Sequence, residues 1–498
     1  MISHRILISV LLICSIYNSH GQKSRLIQKF PISTPERQGI SSKVLDSMMR
    51  FIKNSNQNIH HLTIIRNEHT VLDADFYPYS SQYLHDIASV TKSITSLLIG
   101  IAIDKGFIKD ENEYALKFFP EISSHKALAD SMRIKDLVSM SSGLDCSVYD
   151  GEKALSDMRK TNDWVRFIFE LQMISKPGEK FSYCSCNFYL LAEILFRTTG
   201  LQPHEFAKKY LFAPLQIYNS KWLANYKDIN HGWGDLFLLP ADMAKIGELV
   251  LKKGKWEDKQ VVSASWIAKC IHPFYKVQDD KGYGYGWWTN DKVGYYEAAG
   301  RGRQTISIVP SKGMVVVMLG GEFDAGTIGR YIFRSIHADN SATENKKDIT
   351  ELRETTRKAG LPLSPDSGFL NQKIAEVLKN KTIILEKNIT SIDSMQLNFV
   401  SNSRGEVIFY KSQTHEKYPF ILSQNIYEIS MDPVLQLPVA LKAISNGKEF
   451  ILHYNQLCRI NNIYFHFLIE KDGIRTRLEE TSNSINLDIP SSFHTRKN

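Results

Sequence analysis

No Cys-x-x-Cys pair and no Cys/His cluster at metal-ligand spacing occurs in the 498 residues, so the sequence offers no zinc site. Long basic runs are missing as well. A net charge of +8 is spread over 61 basic and 53 acidic side chains, an ordinary mixed surface that speaks against nucleic acid as a partner. Beyond the N-terminus no apolar stretch approaches the roughly 20 residues a membrane-spanning helix needs. No repeat of fixed period is present, which removes solenoids and propellers. What remains is a chain with 43% apolar residues, enough for real cores, and long enough for two or three domains.

The one apolar run, Ile6 to Tyr17, follows His4 and Arg5 and ends near the small residues Ser19 and Gly21. That is the pattern of a secretory signal peptide over residues 1–21, cut after Gly21, and it predicts an exported protein, periplasmic or secreted. Cys14 leaves a lipoprotein as the alternative, which the bulky Ile13 before it disfavours. The mature chain then holds Cys146, Cys184, Cys186, Cys270 and Cys458, an odd number that excludes complete pairing. A bond from Cys146 to Cys184 or Cys186 and a set of inert buried thiols both stay open.

Chemistry enters at Asp86-Ile-Ala-Ser-Val-Thr-Lys92. Ile87, Val90, Ile94, Leu97, Leu98 and Ile101 recur at helical spacing, which predicts a buried helix capped by Asp86 and stopped at Gly106. Ser89 and Lys92 stand one turn apart on one face of it. A serine hydroxyl is a weak nucleophile until a neighbour takes its proton, and Lys92 is placed to do so. The tetrapeptide alone is a weak signal.

Around it, Ser41 to Ile52 reads as a helix. Leu62 to Arg66 and Thr70 to Phe76 read as a hairpin, and Ile134 to Leu144 as a helix ended by Gly143. Gly and aromatic residues cluster at His231–Asp235 and Tyr283–Trp288, where tight turns bring flat side chains to a pocket rim. Gln304–Pro310 and Met314–Leu319 read as two strands. Strands at both ends of a helical middle give an α+β domain over residues 22–337 whose sheet unites its ends. A linker with one short helix follows over 338–378. Alternating β-rich runs over 379–498 predict a small antiparallel β-domain, read as an appendage to a first domain sufficient for the chemistry.

Ser89-x-x-Lys92, Met140-Ser-Ser-Gly-Leu144, Tyr183-Cys-Ser185, the Gly232-Trp-Gly234 turn and Ala298-Ala-Gly-Arg301 occur in one order over about residues 35–335. This order resembles the serine β-lactamase and penicillin-binding-protein-like superfamily, nearest the class C β-lactamase and esterase branch. The resemblance implies an antiparallel sheet with a helical domain. It implies Ser89 as the acylated nucleophile, Lys92 as its activator and Tyr183 as the proton shuttle. It places Ser185, Gly300, Arg301 and Gln304 at the substrate, with the backbone N–H groups of Ser89 and Arg301 as an oxyanion hole and the Ser185 hydroxyl bonded to Lys92. Two departures stand out. The second motif is Tyr-x-Ser where Tyr-x-Asn is usual, and Ala298 occupies the position of a cation that elsewhere meets a substrate carboxylate. Alternation along a strand through residues 301–303 would turn Arg301 and Arg303 the same way, either into the site or outward, outward being the ordinary place for an arginine.

The expected activity is therefore hydrolysis of a small ester, amide or short peptide without metal or organic cofactor, with β-lactams poor substrates. The rival expectation is a non-catalytic module of the same fold that binds a wall fragment or a protein partner.

Overall fold

Every residue of β1 (Ile59–Arg66) is buried, the mark of a strand covered on both faces. The computed structural model describes residues 30–122, 127–147, 150–337, 342–364, 366, 368, 370–379, 381–386, 388, 390–412, 414–470, 473–480, 485–489 and 491–495. The signal-peptide reading at 1–21 lies outside them.

Beside β1 lie β2 (His69–Asp75), β3 (Tyr275–Gln278), β4 (Lys281–Tyr283), β5 (Trp288–Asn290), β6 (Tyr295–Gly300), β7 (Gln304–Val309) and β8 (Met314–Gly320), in the order β2-β1-β8-β7-β6-β5-β4-β3. All neighbours are antiparallel. Ile64 pairs with Val316, so the sheet joins the two ends of the domain as the sequence predicted. Its second half exceeds the prediction: the Tyr283–Trp288 stretch does turn, between β4 and β5, but β3 to β6 on either side of it were not foreseen.

The helices that build the layers are α1 (Ser42–Asn54), α2 (Val90–Asp104), α3 (Ser185–Thr199), α4 (Pro240–Leu251), α5 (Ala325–Ser335) and α6 (Lys346–Ala359). Ser41 caps α1 by accepting the Val44 N–H at 3.3 Å, and α1 turns Leu45, Met48, Met49 and Ile52 to the sheet. Ile328 and Ile332 of α5 and Leu352 of α6 complete that layer. On the other face α2, α3 and α4 enclose the larger core, from Ile87 through Leu190 to Val317. The segment Ile134–Leu144 is a shorter helix than predicted, Ile134–Val138, and Gly143 closes the turn after it at φ 82°. No helix among the described residues is long and apolar enough to cross a membrane.

The stretch read as a linker with one short helix carries two. One is α6, whose Thr355 hydroxyl donates to Asp46 of α1 at 2.6 Å; the other is α7 (Gln372–Leu378). Beyond α7, eleven described strands between Lys381 and Thr495 form a second, curved sheet, a β half-barrel. Its neighbours are antiparallel except Thr414–Leu422 beside Pro438–Asn446. Ile374 and Leu378 of α7 sit among Phe409, Tyr418, Phe450, Phe465 and Phe467 in its core.

Candidate active site

Ser89 occupies the N-cap of α2, so the helix starts three residues later than the Asp86 cap predicted. Asp86 lies instead in a two-residue strand with His85, paired to Leu236–Leu238. Its carboxylate accepts the Ala88 N–H at 2.9 Å. Ala88 has φ 47°, an unusual conformation for a residue with a Cβ, and it delivers Ser89 to the start of the helix.

Lys92 is buried, and its Nζ donates to Ser89 Oγ at 2.9 Å and to the Trp233 carbonyl at 2.9 Å. No salt bridge among the described residues engages it. The Gly232-Trp-Gly234 turn thus acts through a backbone carbonyl. That turn is pinned by the Thr95 hydroxyl donating to the Gly232 carbonyl at 2.8 Å and by a 2.7 Å contact between His231 Nδ1 and Asp235. Tyr183 is half-buried just before α3, with its ring centroid 5.0 Å from Lys92 Nζ and its face stacked on Trp288 at 6.2 Å. The Met140 segment holds this loop: the Met140 carbonyl accepts the Ser182 N–H at 2.8 Å, and a disulfide joins Cys146 to Cys184. Cys186 lies near that pair, and burial pushes its thiol up to about 12.

Gly300 ends β6 against this corner. A Cβ on it would lie 2.9 Å from Ala88 Cβ, from the Ile87 carbonyl oxygen and from Ser89 N. Only glycine lets the strand come this close to the serine.

Ser89, Tyr183, Trp288, Gly300 and Arg301 line one pocket of about 300 Å³, shared with Lys281, Tyr295, Glu297, Ala299 and Arg303. Ala298 faces the other way, fully buried in the core with Ile87 and Val90. The residues predicted for the substrate divide accordingly. Gly300 and Arg301 line the pocket. Gln304 does not: it is fully buried, and its amide bridges strands, donating to the Gly320 carbonyl at 2.5 Å and accepting the Gly320 N–H at 3.2 Å. Ser185 is buried at the first turn of α3, where its N–H donates to Glu152 at 2.8 Å; the Lys92 bonds go to Ser89 and Trp233. Arg301–Arg303 is a tight turn with Gly302 at φ 73°, so strand alternation does not apply there and both arginines reach the pocket.

The sequence reading passed over Glu297. On β6 it shares a face with Tyr295 and Ala299, and that period of two was the available signal. Burial pushes its carboxyl up to about 7, against the pull of Lys281 and Arg303.

The profile of the family described as Beta-lactamase matches residues 61–323. Over 268 residues the chain is 24% identical to the 6-aminohexanoate-dimer hydrolase of Paenarthrobacter ureafaciens, covering 49% of this chain and 67% of that protein. Protein flp of Staphylococcus aureus (strain MW2) is 26% identical over 145 residues, 29% of each chain, so the match spans under a third of that relative. Among solved structures, a putative 6-aminohexanoate-dimer hydrolase from Bacillus anthracis superposes with a TM-score of 0.50 at 18% identity, over 67% of this chain and 87% of that one. At that identity the likeness concerns the fold.

Proposed function

The chain belongs to the β-lactamase family, and from that premise we propose that it is an exported serine hydrolase that cleaves a small ester, amide or short peptide through an acyl-enzyme on Ser89. The observation that carries this reading is the 2.9 Å contact between Lys92 Nζ and Ser89 Oγ, made by a buried lysine with no carboxylate in salt-bridge reach among the described residues.

Ser89 Oγ attacks the substrate carbonyl carbon, and its proton passes to Lys92 Nζ in the neutral-amine form as the C–O bond forms. The carbonyl oxygen becomes an oxyanion held by the backbone N–H groups of Ser89 and Arg301, which the close seat of Gly300 brings together. Tyr183, beside Lys92, passes the proton to the departing alcohol or amine. Water then attacks the acyl carbonyl along the same route in reverse, releasing the acid and restoring the hydroxyl. A pocket of about 300 Å³ fits a small acyl group. The Cys146–Cys184 bond suits an oxidising compartment and supports export.

The test is a fluorophosphonate probe read by intact mass, with a nitrophenyl ester assay alongside. The wild type gains one adduct, and Ser89→Ala gains none and loses hydrolysis by at least about a thousandfold while keeping its melting temperature. Ordinary hydrolysis by Ser89→Ala would end this reading.

A further inference from the structure

Between the strands Glu449–Gln456 and Asn462–Glu470 of the second sheet, the connection Leu457–Asn461 leaves the half-barrel and enters the corner beneath Ser89. The Cys458 carbonyl accepts the Asp86 N–H at 2.7 Å. Arg459 Nη1 lies 3.3 Å from Asp86 Oδ2 and 3.9 Å from Asp235 Oδ1, with the guanidinium 4.9 Å over the Phe237 ring. Asn461 accepts from Arg301 Nη1 at 2.6 Å. Ile460 packs on Gly302 so closely that a Cβ there would sit 2.3 Å from Ile460 Cγ2.

The two carboxylates that Arg459 bridges each hold one half of the reacting pair. Asp86 binds the Ala88 N–H and thereby fixes the residue before Ser89. Asp235 binds His231 in the turn whose Trp233 carbonyl receives Lys92. Asp86 pairs with Phe237, two residues beyond Asp235, and one guanidinium nitrogen reaches both carboxylates, so the two acids are neighbours. Burial pushes the Asp86 carboxyl up, and the Asp235 charge adds to that; Arg459 opposes both. At Asp235 burial also acts upward, but the His231 bond and charge, with Arg459, hold the carboxyl below its ordinary range. Removing the guanidinium would leave two neighbouring, largely buried carboxylates without their shared cation.

We propose that Arg459, supplied by the β half-barrel, is a positioning residue for the Ser89–Lys92 pair, so that the second domain completes the active site. The inference rests on the assignment of Ser89 and Lys92 above. Arg459 is absent from the pocket lining, so its loss acts on the alignment of the reacting atoms and leaves substrate binding alone.

The experiment uses the full chain and compares Arg459→Ala, Arg459→Lys and Ser89→Ala by nitrophenyl ester kcat and KM, fluorophosphonate labelling rate, far-UV circular dichroism and melting temperature. Arg459→Ala is expected to lower kcat and the labelling rate by about ten- to a hundredfold with KM within about twofold, the scale of a misplacement on the order of an ångström. Arg459→Lys keeps the charge and is expected to recover at least about a third of the wild-type kcat. Wild-type kcat in a folded Arg459→Ala protein would overturn the inference. So would equal losses in the Lys and Ala variants that follow only the melting temperature, the signature of a simple domain clamp. If Arg459→Ala fails to fold, Arg459→Gln, which keeps much of the side-chain volume without the charge, decides: near-normal stability with unchanged KM and lowered kcat supports positioning, and unchanged kcat refutes it. Hydrolysis surviving in Ser89→Ala would instead sink the underlying mechanism, an outcome distinct from any result at Arg459.

Discussion

Gly300→Ala tests the architecture of the site with one methyl group. That methyl would start 2.9 Å from three neighbours, Ala88 Cβ, the Ile87 carbonyl and Ser89 N, none of them the end of a flexible side chain. Carbon contacts are comfortable at roughly 3.5 to 4.0 Å, so β6 and the Ala88–Ser89 turn must part by about 0.6 to 1 Å. Overpacking of this kind costs about 1 to 3 kcal/mol. In a domain of this size that is a fall of roughly 2 to 10 °C in melting temperature. The same displacement separates the Ser89 N–H from the Arg301 N–H, and misplacement on this scale costs up to about a hundredfold in rate. A nitrophenyl ester assay is therefore expected to show kcat/KM down by about ten- to a hundredfold, more in kcat than in KM, because the oxyanion forms only in the transition state. A Gly300→Ala protein with unchanged kcat and melting temperature would refute the close approach. A lowered melting temperature with intact kcat would separate Gly300 from the oxyanion site.

Glu297 keeps its proton to about pH 7 when folded against the ordinary 4.5, so the folded chain binds the extra proton in that window and stability falls as pH rises through it. Glu297→Gln is accordingly expected to raise the melting temperature at pH 8 and leave it unchanged at pH 4, and an equal shift at both would show that the carboxyl is not held protonated. A chain ending at residue 340 loses α6, uncovering Leu352's neighbours on α1, whereas one ending at 360 keeps it; the longer fragment is expected to be the more soluble, and both are expected to label with fluorophosphonate at least about tenfold more slowly than the full chain. Equal solubility of the two fragments would deny α6 its structural part. Finally, Ala298 points into the core, and the cations of the pocket rim already face other groups, Arg301 engaged by Asn461, Arg303 by Glu322 and Lys281 acting on Glu297. Losing one charge-assisted bond to a substrate carboxylate costs about 1.5 to 3 kcal/mol, so a nitrophenyl ester is expected to outrun a chromogenic cephalosporin by at least about tenfold in kcat/KM on one preparation. The reverse ranking would mean that Lys281 or an arginine of the rim binds the carboxylate.

The features legible in the sequence are those encoded over short spans. Helix α2 announced itself because Ile87 to Ile101 repeat at helical period and Ser89 and Lys92 fall one turn apart. The hairpin of β1 and β2 and the strands β7 and β8 were visible as β-branched runs, and their union in one sheet followed from their places at the two ends of the domain. Strands β3 to β6 escaped because they are short, between three and six residues, and their Gly and aromatic content imitates turn chemistry. Gln304 lies outside the pocket lining for a related reason. A side chain at the first residue of a strand can face the pocket or the neighbouring strand, and the Gly320 backbone took both halves of its amide.

The Arg459 connection had no local signal at all. Its partners Asp86 and Asp235 lie more than two hundred residues away in the chain, and nothing in Cys458-Arg-Ile-Asn461 distinguishes it from any polar turn between strands. The region matched by the family profile ends at residue 323, so neither motif order nor resemblance reaches that loop or α6. Yet a cation is what the corner requires. Asp86 accepts the Ala88 N–H before Ser89 and Asp235 holds the turn that receives Lys92, and two adjacent acids under a helix start carry a desolvation cost that the Ala88 N–H and the His231 ring share with Arg459. The requirement follows from the family portion of the chain; the residue that meets it comes from the other domain. An active site whose scaffold carries two adjacent buried acids is therefore a reason to look for a shared cation outside the matched region.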